Sequence, residues 1–248
     1  MNFEELAWGA FFYRLLTNYD SRYLKLFAEK SLRARLPQNP GAVSVDEFQA
    51  SVVNSLNAWG GRHIRKDTEV AGVLLNGLCG LQDKFQSLCN DTLLTVNLDR
   101  HRELVQHIFN DLRLICWENR GPVRSVTVHL GETFACKLAH IVNPALFVMW
   151  DDGIASHFWE RKMIESVWDY VGFPTLMQEE AKSVVSDFQA FAAGSDPALF
   201  LSRKFEYSVT KPLTKFLDEY NWVCRQRNLD TSTPPEWLFR IPRHRHQA

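Results

Sequence analysis

An all-α fold, in two helical lobes with a cleft between them, is what this sequence predicts, and three observations predict it. Apolar residues recur at three- and four-residue intervals along most of the 248 residues. Breaks rich in proline and glycine divide those runs into about nine to eleven helix-sized pieces. One stretch, Val123–His129, has β-branched alternation and suits either a short strand or a loop.

Phe3–Leu16 and Tyr23–Leu36 open the chain as amphipathic helices. Pro37, Pro40 and Gly41 interrupt the pattern. Ser44-Val-Asp-Glu47 then reads as a capping box that starts a helix running to Trp59, where Gly60-Gly61 ends it. Glu69–Leu81 is a further helix, and its glycines at 72, 77 and 80 let a neighbouring helix approach closely. Leu98–Trp117 is the longest clean amphipathic run and Gly121-Pro122 stops it. Thr133–Val142 follows, broken by Asn143-Pro144. Beyond the apolar Ala145–Trp150, helices are expected over Ile154–Val171, Thr175–Ala193 and Lys211–Arg227, with Gly172-Phe173-Pro174 and the Gly194–Pro197 stretch as stops. The tail 231–248 is proline-rich and basic and is expected to be extended.

Composition narrows the classes of function. A hydrophobic content of 46% with 12% aromatics is that of a packed globular protein. The net charge of −1 advertises neither nucleic acid nor membrane, although a local basic face can hide in a neutral total. Five cysteines without a CxxC or zinc-finger spacing read as reduced thiols, so a cytoplasmic setting is expected, with no metal site. Glu4 and Glu5 stand where a signal peptide would carry positive charge, and no apolar run approaches the ~20 residues of a membrane span. No membrane partner and no cofactor are expected.

The chemistry concentrates in Gly131–Trp159. Lys137 lies in a short apolar helix beside Phe134, Leu138 and Ile141, and Asp151 follows fourteen positions later, also flanked by apolar residues. Charges in such settings must meet a partner or become neutral. The tight Asn143-Pro144 turn brings the two segments side by side. A desolvated lysine has its pKa drawn down and becomes a nucleophilic amine, while a nearby carboxylate accepts protons or steadies a developing cation. The bland alternatives are a lysine that snorkels to solvent and an aspartate that merely caps a helix. His140 and His157 are candidate acid–base partners, and Trp150, Asp152 and Trp159 are candidate pocket residues.

On these residues the block resembles the helix-hairpin-helix DNA glycosylases, including the 8-oxoguanine branch. Leu130-Gly131 through Lys137-Leu138-Ala139 is similar to that family's hairpin and catalytic lysine, and Phe147-Val148-Met149-Trp150-Asp151 to its apolar lead into the catalytic aspartate. The resemblance implies a hairpin and active-site lobe over 105–172 within one bilobal domain, 1–248. It implies double-stranded DNA as partner and base flipping. Lys137 would attack the sugar C1′, Asp151 would stabilise the charge or activate the nucleophile, and Gly131 and Thr133 would lie at the phosphate backbone. The family's second hairpin glycine is replaced here within Glu132–Cys136.

Arg120 and Arg124, just upstream, are the basic residues expected to reach DNA; Arg62, Arg65 and Lys66, Arg203, Lys204, Lys211 and Lys215, and the tail arginines are further basic clusters. The expected activity is excision of a damaged or modified base, in one version an unusual phage base removed in antiviral defence. Two alternatives stand beside it: a non-catalytic module of the same fold, with Lys137 and Asp151 as a structural ion pair, and an unrelated helical interaction protein using its aromatic N-terminus as the interface.

Overall fold

The computed structural model describes residues 1–239 apart from 18, 60–63, 65–67, 121–124 and 167–168. Those residues are mostly helical, with one two-stranded antiparallel sheet. Helix α1 (Phe3–Leu16) begins in a complete capping box: Glu5 N–H donates to the Asn2 side chain and Asn2 N–H to the Glu5 carboxylate, each at 2.8 Å. The single helix expected over Tyr23–Leu36 is two, α2 (Tyr19–Ala28) and α3 (Lys30–Gln38). Glu29 breaks it at ψ 68°, and its carboxylate accepts the Ser51 hydroxyl at 2.5 Å. Pro37 is absorbed into the end of α3, so the expected break falls later, at Asn39.

Ser44 caps the next rod as expected, accepting Glu47 N–H at 3.2 Å, but the Glu47 carboxylate turns to Arg35 instead of closing the box. That rod is α4 (Val45–Phe48), a π-helical stretch Gln49–Val53 and α5 (Asn54–Ala58) in succession. Then come α6 (Thr68–Gly80), α7 (Gln82–Gln86) and α8 (Leu98–Leu114). A Cβ on Gly77 would lie 2.4 Å from Ile115 Cδ1, so the close approach its glycine permits is to the chain leaving α8 and not to a helix.

The helix expected to reach Trp117 stops at Leu114. Leu130 N–H donates to the Ile115 carbonyl at 2.8 Å and Gly131 N–H to that of Arg113 at 3.2 Å, and β1 (Cys116–Arg120) pairs with β2 (Ser125–His129). Ser125–His129 of the alternating stretch is therefore a strand, and residues 123 and 124 lie outside the described residues. The sheet ribbon stands between α8 and α9 (Glu132–Val142), which pack against each other at its root.

Asp151 caps α10 (Asp152–Glu160), which ends well short of Val171: Lys162 is left-handed at φ 56° and Met163 N–H returns to the Phe158 carbonyl at 3.0 Å. Gly172-Phe173-Pro174 is a start, not a stop. It opens α11 (Gly172–Phe191), where the Asp169 carboxylate accepts Gly172 N–H at 2.9 Å and proline sits in the first turn, in which no intrahelical donor is needed. Helices α12 (Pro197–Lys204) and α13 (Leu213–Asn221) complete the set, with a π-helical stretch Trp222–Gln226 continuing α13 and a 3₁₀ turn at Glu236–Phe239. Residues 240–248 of the basic tail lie outside the described residues.

One continuous core runs from Phe3 to Leu238. Near its middle Trp150 is packed among Phe109, Tyr170 and Phe173, with Tyr170 O–H bonded to the Val148 carbonyl at 2.8 Å. The irregular lead is thus buried from Leu146 to Trp150, with Ala145 exposed. No described helix is long and apolar enough to cross a membrane, and no group of three or more metal-ligating side chains occurs among the described residues.

Candidate functional site: an aromatic-walled cavity at Lys137 and Asp151

Helix α9 turns Phe134, Leu138 and Ile141 into the core and leaves Lys137 at its edge. The Lys137 Nζ donates to the Trp59 carbonyl at the end of α5 at 2.9 Å and lies 4.9 Å from the Phe134 ring centre. Burial pulls its pKa below the usual lysine value; nearby acids, Asp218 and Asp151, pull the other way, and Lys215 reinforces the fall. Asp151 caps α10, accepting Ile154 N–H at 3.0 Å. Burial pushes its carboxyl upward, Asp218 adds to the rise, and Lys137 opposes it.

A buried thiol sets the two in place. Cys136, one residue before Lys137, donates to the Trp150 carbonyl at 3.1 Å and accepts Trp150 N–H at 3.3 Å, one residue before Asp151. Asn143, at the turn between them, is anchored by its side-chain N–H to the Leu88 carbonyl at 2.8 Å. Gly153 is required next to Asp151, because a Cβ there would meet Gln226 Cγ at 2.8 Å.

Lys137 and Asp151 line the same cavity of about 250 Å³, walled by Tyr13, Tyr23, Trp59, Trp150 and Trp222. Among the described residues no ion pair joins them; Lys137 Nζ is held by the Trp59 carbonyl and Asp151 Oδ1 by the Ile154 N–H. The cavity floor carries a buried charge network. Lys215 pairs with Asp218 at 2.6 Å and Glu219 at 3.5 Å; Lys211 pairs with Glu219 at 2.7 Å and Asp20 at 2.5 Å. Burial alone would lower the Lys215 pKa, but Asp218, Tyr13 and Glu219 hold it well above the usual value. Burial pushes Glu219 up to about 7. Two buried polar atoms on lining residues, Trp150 Nε1 and Gln226 Oε1, have no partner among the described residues.

A second, more open cavity of about 520 Å³ shares Trp59, Lys137, Asp151 and Gln226 with the first and is edged by Gly131, Thr133 and Asp152. Gly131 is left-handed at φ 76°, and the Thr133 hydroxyl donates to Asp152 at 3.1 Å.

The structure thus brings together Lys137, Asp151, Trp150, Asp152, Gly131 and Thr133. It does not bring His140, His157 or Trp159 to the cavity. His140 is fully buried behind Tyr23, with Nε2 2.9 Å from the Tyr23 hydroxyl and Nδ1 2.6 Å from the Phe147 carbonyl. Both nitrogens are spoken for, so it serves packing and not acid–base transfer. His157 and Trp159 sit further along α10, and Trp159 faces a separate groove with Arg102 and Asp169. Arg120 ends β1, while Arg124 lies outside the described residues, as do Arg62, Arg65 and Lys66. Lys211 and Lys215 are interior ion-pair members, not surface contacts.

Sequence reasoning missed Tyr13, Tyr23, Trp59, Lys215, Asp218, Trp222 and Gln226. One signal was present: Lys215, Asp218, Trp222 and Gln226 recur at helical spacing. That stripe of charges has the look of a solvent face, and only packing against α1 turns it inward. Comparison of the chain with protein-family models, with curated proteins and with solved structures finds no match.

Proposed function

We propose that the chain is a DNA glycosylase-like enzyme that removes a modified or damaged base through Lys137 and Asp151. The observation that carries the proposal is a desolvated lysine and a desolvated carboxylate facing one aromatic-walled cavity without an ion pair between them. A structural ion pair would neutralise both; here the partners are neutral, the Trp59 carbonyl for the amine and the Ile154 N–H for the carboxylate. The cavity suits a flipped base, because aromatic faces receive any base.

In this mechanism the free amine of Lys137 attacks the sugar C1′, and the N-glycosidic bond breaks with its electron pair leaving on the base. Asp151 takes the proton released by the amine and returns it to the departing base. Cleavage of the C1′–O4′ bond, with the second amine proton going to O4′, gives an imine. Water then hydrolyses the imine to an aldehyde and restores the lysine. Lysine's lowered and aspartate's raised pKa both favour this exchange near neutral pH.

Borohydride trapping on duplexes carrying modified bases or abasic sites tests it: a covalent protein–DNA adduct is expected, and none with Lys137→Ala. No adduct and no released base across host and phage genomic DNAs would sink the proposal. One observation favours a protein-binding reading instead. Along α1, Leu15 is 63% and Leu16 54% exposed, next to the partly exposed Trp8, Phe11 and Phe12. Retained partner binding by the Lys137→Ala protein, without any DNA chemistry, would support it.

A further inference from the structure

A groove of about 450 Å³ runs between α2 and the rod of α4 and α5. One wall carries Arg22 and Lys25, a turn apart and exposed on α2; the other carries Asn54 and Asn57 on α5. Small residues, Ala50, Ser51 and Ala58, keep the two walls apart. Neither Arg22 nor Lys25 is committed to an ion pair among the described residues. The one acid in the groove, Glu29, is occupied at its end by the Ser51 hydroxyl at 2.5 Å. Two exposed cations against one acid leave the groove with a net positive charge, which suits an anion.

Its position says which anion. Arg22 adjoins Tyr23 on α2, and Ala58 adjoins Trp59 at the end of α5; Tyr23 and Trp59 are walls of the Lys137 cavity. Groove and cavity are therefore lined by neighbouring residues of the same two segments. A base in the cavity is tethered through its sugar to phosphates on either side. We propose that this groove is a phosphodiester subsite, holding the backbone of the strand whose base enters the cavity. The proposal rests on the glycosylase reading, and it moves the chief backbone contact from the loop of Arg120 and Arg124 to the N-terminal helices. It also removes a difficulty at the outer cavity, whose acids Glu132, Asp151 and Asp152 suit a phosphate poorly.

The test is the salt dependence of binding to a duplex carrying a tetrahydrofuran abasic-site analogue, read by fluorescence anisotropy. Arg22→Ala and Lys25→Ala are each expected to weaken binding by about tenfold and to lower the slope of log affinity against log salt by about one. Lys182→Ala, outside the groove on α11, should change neither. If the wild type binds and traps while both variants match it, the groove assignment is overturned and the excision reading stands. If the variants weaken binding but the wild type never traps, the subsite stands and excision falls. Wild-type protein that ignores DNA even at low salt overturns both.

Discussion

Replacing His140 by glutamine isolates the electrostatics of the helix that carries Lys137. A carbonyl only accepts, so Nδ1 carries the proton shared with Phe147, and Nε2 accepts from Tyr23. The ring is neutral, and burial pushes its pKa from 6.5 down to about 3. The sign follows from which state binds the proton. Between those two values the unfolded chain takes it up and the folded ring refuses it. The stability contribution is therefore intact above pH 6.5 and is lost as pH falls toward 3. At ~1.4 kcal/mol per pH unit, the loss by about pH 4.5 is about 2.7 kcal/mol. Glu219 works in the opposite direction: its folded value of about 7 exceeds the ordinary 4.5, so it adds stability as pH falls through that window. The wild-type curve alone mixes the two. Glutamine keeps a donor and an acceptor but does not titrate. Urea unfolding at about pH 7.5 and about pH 4.5 should therefore show the wild type's advantage over His140→Gln shrinking by about 2–3 kcal/mol on acidification. An advantage that does not change with pH, or an NMR titration of the His140 ring near its ordinary value, would refute the reasoning and return the ring to contention as an acid–base group.

Asparagine caps a helix about as well as aspartate, so Asp151→Asn should leave thermal stability within ~0.5 kcal/mol while abolishing base release; Asp151→Ala should additionally cost ~1 kcal/mol. Equal activity in Asp151→Asn would remove Asp151 from the chemistry. Lys215→Met leaves Glu219 and Asp218 buried with less counter-charge and should cost about 3–5 kcal/mol in denaturant unfolding, and a loss under ~1 kcal/mol would mean the network is open to water. In Gly9→Ala the new Cβ would lie 2.9 Å from Tyr220 Cδ2 and 3.1 Å from its Cα, forcing α1 off α13 at a cost of about 1–3 kcal/mol; an unchanged melting temperature would disprove that contact. Burial pushes the Cys136 thiol up to about 12, so native protein should leave it unlabelled by a thiol reagent at mildly alkaline pH and denatured protein should not.

What could be read from the residues in order were the local signals. The span of α1, the Ser44 and Asp151 caps, the turn at Asn143 and the helix bearing Lys137 all follow from periodicity and capping chemistry, which act within a few residues. Lys137 and Asp151 stand out in the sequence as two charges in apolar settings; the structure places both at one cavity but forms no ion pair between them among the described residues. The end of α8 was not legible: its last carbonyls are taken by Leu130 and Gly131, beyond the ribbon. Nor was the direction of Gly172-Phe173-Pro174, since proline serves a helix start as well as a stop and Asp169 decided which. The stripe of Lys215, Asp218 and Glu219 has the look of a wet face, but α1 supplies Tyr13 to Lys215, and Lys211 takes Glu219. His140 looked available until Tyr23 and Phe147 claimed both its nitrogens. Periodicity tells which residues share a face, but whether that face meets water or another helix depends on segments far off in the chain, and the pKa of every charge on it depends on that meeting.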